Sequence, residues 1–220
     1  MDIDVQNFYN ERIINLVENK KHKQALELCN RLLSKNDNDK IGLFWKAYIY
    51  YVQKNNKEAR ILYEKLLNIG HKTHNVLWYY GKVLAQCREW KNALNIFIKA
   101  SKLSKEKDSE YYQIAIILQE INDFKKSIKY FKKILKMGGR NSYVYLYMGE
   151  SFEKNGNFLK AIEYYEKSYQ LKNDDKHIQH VLAQAYKEMM ERYEKEGNIK
   201  KMKEYMYKSY EFYKKAGIME

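Results

Sequence analysis

A spacing of 34 residues runs through almost the whole chain and limits what it can fold into more than any other feature. Ala25, Ala59, Ala93, Ser127 and Ala161 are small residues at that interval. A second track, Ile13, Ala47, Gly81, Ala115, Gly149 and Ala183, keeps the same step. Alanine occurs only 11 times, and seven of these lie on the two tracks, which rules out coincidence. Rings follow the same register: Trp90, Phe124 and Phe158 stand three residues before the first track, and Tyr63, Phe97, Phe131 and Tyr165 four residues after it. Helices approach closely only where a small side chain faces the neighbouring backbone, and an aromatic ring then fills the adjacent groove. Residues i and i+4 share one helix face, so the small residue and its ring meet the same neighbour. Each period therefore reads as a pair of packed helices.

Composition agrees. The chain has no proline and nine glycines, too few turn residues for a strand-rich fold. Helices are predicted in pairs at 8–20 and 22–35, 40–53 and 56–69, 74–87 and 90–104, 108–121 and 124–137, 142–154 and 158–171, and 176–196 and 199–215. Turn signals fall between them at Asn122-Asp123, Gly138-Gly139, Asn155-Gly156-Asn157, Asn173-Asp174-Asp175 and Gly197-Asn198. The final turn comes 41 residues after its counterpart instead of 34. That lengthens the first helix of the sixth pair while nearly keeping its face. With Met202 where a small residue is expected, 199–215 reads as a capping helix. No Ser-, Gly- or Pro-rich linker interrupts the chain, so one domain over 1–220 is expected, with repeats at about 6–39, 40–73, 74–107, 108–141, 142–175 and 176–215.

This 34-residue helix-turn-helix unit resembles the tetratricopeptide repeat. The third unit matches best, with Leu77, Tyr80-Gly81, Leu84, Ala93 and Phe97. Two features of the family are absent: its early tryptophan, since Trp45 and Trp78 each fall one residue late, and the proline closing the second helix. The resemblance implies an all-α, right-handed superhelical solenoid of about six antiparallel helix pairs. It also implies a non-catalytic protein-binding scaffold, with first helices lining a concave groove and second helices forming the outer wall. Carried onto this chain, the groove positions are Phe44, Tyr48, Tyr51, Trp78, Lys82, Tyr112, Ile116, Tyr143 and Leu146, continued by His180 and Gln184. Chaperone-binding members of the family hold a terminal carboxylate with lysines, asparagines and an arginine on these faces. Here only Lys82 is cationic, so the expected ligand is a hydrophobic or aromatic-anchored segment, such as an amphipathic helix.

Nothing points to chemistry. Phosphate-binding glycine loops, zinc-protease and nucleophile-elbow signatures and paired Cys-x-x-Cys are all missing. His177 and His180 share a helix face, but two ligands without support make a poor metal site. Neither Cys29 nor Cys87 has a positioned base, and Glu150/Glu153 reads as an ordinary solvated pair. No enzyme activity, metal or cofactor is expected. No apolar run is long enough to cross a membrane, and Met1-Asp2-Ile3-Asp4-Val5 lacks the basic and apolar regions of a signal peptide. Two cysteines make no disulfide framework, so a reducing cytoplasm is the expected compartment.

The net charge of +13 concentrates in residues 40–141, on second helices that include Lys91, Lys99, Lys125, Lys129, Lys132 and Lys136. A nucleic-acid channel would interleave lysines with stacking rings on one face. Here rings are expected inside and lysines outside, which argues against nucleic acid and leaves a solvated exterior or an acidic partner. Tyr205, Met206, Tyr210 and Tyr213 form a stripe on the last helix that offers a homodimer surface as an alternative to capping.

Overall fold

The computed structural model describes residues 3–218; the first two residues of the acidic start and the last two of the chain lie outside the described residues. Twelve α-helices and no strand are found among them. They run α1 Ile3–Glu18, α2 His22–Lys35, α3 Lys40–Val52, α4 Asn56–Asn68, α5 His74–Gln86, α6 Trp90–Leu103, α7 Asp108–Glu120, α8 Phe124–Lys136, α9 Ser142–Lys154, α10 Phe158–Leu171, α11 Lys176–Lys195 and α12 Ile199–Ala216. The chain is an all-α succession of helix hairpins, and each predicted pair lies within a residue or two of its place except the first helix, which starts earlier. The helices gather into two compact units, Met1–Glu106 and Lys107–Glu220, with three hairpins in each.

The helix ends repeat as faithfully as the cores. Asp39, Thr73, Asn141 and Asp175 cap the first helices of four hairpins, each accepting a backbone N–H from the first turn. Each first helix closes on one residue in the left-handed region: Lys20, Lys54, Arg88, Asn122, Gly156 and Gly197. That conformation reverses the chain within a short turn.

In the first unit, α1 packs on α3 and α3 on α5, so first helices neighbour one another. In the second unit α7 packs on α9 in the same way. The small-residue tracks are where hairpins close: Ala25, Ala47, Ala59, Ala93, Ala115 and Ala183 are wholly buried. Tyr63, Phe97, Phe131 and Tyr165, the rings four residues on, rank among the largest fully buried side chains. Cys29, which takes the ring's place in the first hairpin, is buried as a small apolar residue. Ser127, the one hydroxyl on the alanine track, stays satisfied: its Oγ lies 3.0 Å from Ser151 Oγ, which donates to the Tyr147 carbonyl at 3.0 Å.

Helix α12 lies along the elongated α11. Its ring Phe212 packs on Tyr169 and Tyr186, and Ser209 donates to the Ala183 carbonyl at 3.0 Å. Within the stripe named above, Tyr205 packs against Tyr186 and Tyr193, and Tyr213 against His180, whereas Met206 and Tyr210 face solvent.

Candidate functional site

The first unit carries an open groove of about 750 Å³. Its floor is aromatic, with Phe44, Trp45 and Tyr48 from α3 and Tyr79 from α5, and its rim is polar, with Asn10, Lys40, His71 and Asn75. These rings meet edge to face: Tyr48 and Tyr79 centroids are 4.9 Å apart, Phe44 and Tyr79 6.1 Å, Trp45 and Tyr48 5.6 Å. Tyr51 joins at 5.8 Å from Tyr79. Trp45 is held by an Nε1–H donated to Asn10 Oδ1 at 2.7 Å. Such T-shaped contacts fix ring orientation, so the surface is set before any ligand arrives. Burial raises the Tyr51 and Tyr79 phenols, with each neighbouring phenol adding to the effect, so both stay neutral donors. The rim imidazole of His71 is lowered by burial and by Lys40, so it is neutral near pH 7.

Trp78 and Lys82 lie on α5 but apart from this floor. The Trp78 ring packs on Phe97 at 5.3 Å, with Lys82 Nζ 5.3 Å above its face.

In the second unit a groove of about 580 Å³ is lined by Ile116, Gln119 and Glu120 from α7, Tyr147, Glu150 and Glu153 from α9, and Val181 and Gln184 from α11. Tyr112 meets Tyr147 at 6.0 Å beside it. Burial, followed by the neighbouring Glu153 carboxylate, pushes the Glu150 carboxyl up to about 7. Glu153 is engaged, accepting a hydrogen bond from Tyr165 Oη at 2.6 Å. The expectation that Glu150 and Glu153 form an ordinary solvated pair is thus corrected: α9 turns them into the groove.

Three sequence-predicted positions differ in their surroundings. Leu146 is fully buried, so it is core and offers no groove surface; it keeps the register of Phe44, Trp78 and Tyr112 but lacks their reach. Tyr143 is exposed, yet its Oη donates to Asp175 Oδ2 at 3.1 Å and Lys172 Nζ sits 5.3 Å over its ring. Lys172, at 2.9 Å, holds the Asp175 carboxyl down to about 2. His180 packs against Tyr213 of α12 at 6.0 Å. Sequence reasoning missed Trp45, Tyr79, Tyr147 and Val181, which line the grooves one residue after the predicted track. Their own 34- and 68-residue spacings were the available signal. The separation of rings from lysines is also incomplete, because Lys133 Nζ lies 4.3 Å over Tyr130 and 5.1 Å over Tyr111.

No group of three or more His, Cys, Asp or Glu side chains able to hold a metal occurs among the described residues. No helix among them is long and apolar enough to cross a membrane.

Comparison with known proteins agrees with this geometry. The tetratricopeptide repeat model matches residues 11–71 and 112–176, together more than half of the chain. No curated protein matches. Among solved structures the chain is similar to YrrB, a TPR protein described as having an unusual peptide-binding site, at 19% identity and a TM-score of 0.72, over 79% of this chain and 89% of that one. It is similar to the C-terminal part of a TPR repeat-containing protein of Cytophaga hutchinsonii at 20% identity and 0.76, over 93% and 79% respectively. It is also similar to pilF of Pseudomonas aeruginosa at 17% identity and 0.71, over 92% and 89%. Periodic small residues, hairpins of matching length and these matches lead to one conclusion: the chain belongs to the tetratricopeptide repeat family, whose fold serves as a protein–protein interaction scaffold.

Proposed function

We propose that the chain is a non-catalytic adaptor that holds a segment of a partner protein against the ring-lined faces of its first helices. The observation that carries this reading is the orientation-locked cluster of Phe44, Trp45, Tyr48 and Tyr79 on the floor of an open groove. Rings held this way present large contact area at small entropic cost, and Trp and Tyr dominate interface hot spots. The polar rim would satisfy the backbone of a bound segment. Its preferred ligand is a segment anchored by an aromatic or aliphatic side chain. YrrB, a similar fold described as binding peptide, supports the analogy. Tyr51, Trp78 and Lys82 in the first unit, and Tyr112, Ile116 and Gln184 in the second, would extend the contact locally. With Cys29 and Cys87 both free thiols, a reducing compartment such as the cytoplasm suits the chain.

Selection of a random peptide library on the whole chain tests this. Selected peptides should be enriched in aromatic or aliphatic anchors. Their affinity should fall roughly tenfold or more for a folded Phe44→Ala, Tyr48→Ala variant, as hot-spot truncations do. Equal binding to both forms would refute the assignment.

A further inference from the structure

We propose that the outer face of α8 is a second interaction surface, separate from the grooves, that docks an acidic helical segment of another protein. Six of its 13 residues are lysines, Lys125, Lys126, Lys129, Lys132, Lys133 and Lys136, and all six are exposed. Helix α8 contains no Asp or Glu. On four other helices pairs one turn apart offset part of the positive charge: Arg60 with Glu64, Lys167 with Glu163, Arg192 with Glu188, Lys208 with Glu204 and Lys215 with Glu211. Helix α6 also lacks an acid but carries only Lys91, Lys99 and Lys102. On α8 only Lys126 has an ion-pair partner among the described residues, Asp123 at 2.7 Å, and that residue precedes the helix.

Two features run against the helix's own stability. Lys125 and Lys126 occupy the first turn, where the helix dipole disfavours cations. Lys125/Lys129, Lys129/Lys133 and Lys132/Lys136 are like-charge pairs one turn apart, which repel. An anionic ligand relieves both. The inner face is occupied, since Ser127, Ile128, Phe131 and Ile134 are buried, so the helix cannot turn its lysines inward.

The spacing selects the ligand. Lys125, Lys129, Lys132 and Lys136 follow i, i+4, i+7, i+11 and form one line about 16 Å long. A second α-helix has the same rise, so carboxylates at the same intervals meet every lysine. Nucleic acid fits less well. All six cations are lysines, without the planar fork that suits phosphate, and the nearby rings of Tyr111 and Tyr130 are half-buried and covered by Lys133. A membrane surface would need a stripe of exposed apolar side chains beside the charges, whereas on α8 Ile128, Phe131 and Ile134 are buried and Phe124, Tyr130 and Leu135 half-buried.

The test is anisotropy with a labelled helix-forming peptide carrying glutamates at i, i+4, i+7 and i+11, titrated with the full chain across a salt series. The wild type should bind with an affinity that falls as salt rises. Replacing Lys125, Lys129, Lys132 and Lys136 with Gln should weaken binding roughly tenfold or more. Replacing the exposed Lys187, Lys200, Lys203 and Lys214 with Gln removes the same charge from the same unit and should change little. Equal losses in the two variants would mean net charge alone is felt and would overturn the proposal. So would a single-stranded oligonucleotide that binds the α8 face more tightly than the peptide.

Discussion

Gly149 leaves room for the ring of Tyr165 and for nothing more: a β-carbon on the glycine would stand 2.5 Å from Cε1 and 2.6 Å from Cδ1. The ring cannot step aside, because it is buried and its hydroxyl is bonded to Glu153 at 2.6 Å. Gly81 and Phe97 repeat the relationship, with a β-carbon 2.9 Å from Cζ. An alanine at 149 gains about 1 kcal/mol of helix propensity but overpacks a closed interface at a typical cost of about 1–3 kcal/mol. Gly149→Ala should therefore lower the urea-unfolding free energy by about 1 kcal/mol, and less so in a Tyr165→Leu background. A stabilised single variant would contradict this packing.

The left-handed residues closing the first helices give an opposite outcome. Lys54 has φ 61° and Arg88 φ 58°, a region that costs a side-chain-bearing residue about 1–2 kcal/mol. Part of that gain is lost on substitution, because glycine also frees the unfolded chain. Arg88→Gly should raise stability by about 0.5–1 kcal/mol in chemical denaturation. Gly156→Ala, at the equivalent place with φ 84°, should lower it.

The contrast between these sites explains what was legible. Small residues must recur wherever two hairpins touch, so the period, the pairs and the buried rings could be read from spacing. Asn122 and Gly156 announce a turn by their chemistry; Lys20, Lys54 and Arg88 occupy the same place without doing so. Phe44 lines the cavity of the first unit as expected from its position, but Trp45 and Tyr79 line it too, one step around the helix from the expected Phe44 and Trp78. Which neighbour faces outward depends on how tightly the hairpins pack. The boundary at Glu106 carries no glycine or proline mark at all.

Glu150 makes stability depend on pH. Its carboxyl titrates at about 7 when folded, against an ordinary 4.5. Below both values it is protonated in either state and costs nothing. As pH rises from 4.5 to about 7 the unfolded chain ionises first, so stability falls across that window and then levels. Glu150→Gln should match wild type at about pH 4 and exceed it by about 1–3 kcal/mol at about pH 8. Denaturation midpoints that shift equally at both pH values would contradict a buried carboxyl in this groove.

The two thiols should separate cleanly. Burial pushes the Cys29 thiol up to about 12, whereas Cys87 is exposed at the end of α5. The thiolate is the reactive form, so native alkylation should label Cys87 alone, with Cys29 reacting only in denaturant. Mass spectrometry of the labelled chain reads this directly.

In the proposed function, partners dock on the first-helix rings. Photocrosslinking tests it most directly: p-benzoylphenylalanine at Tyr48 replaces one ring by another, and the same residue at the exposed Ile61 of α4 samples the second-helix face. With a library-selected peptide, irradiation should yield an adduct from position 48 and little from position 61. Crosslinking at 61 with none at 48 would place the partner on the wrong face and contradict the account.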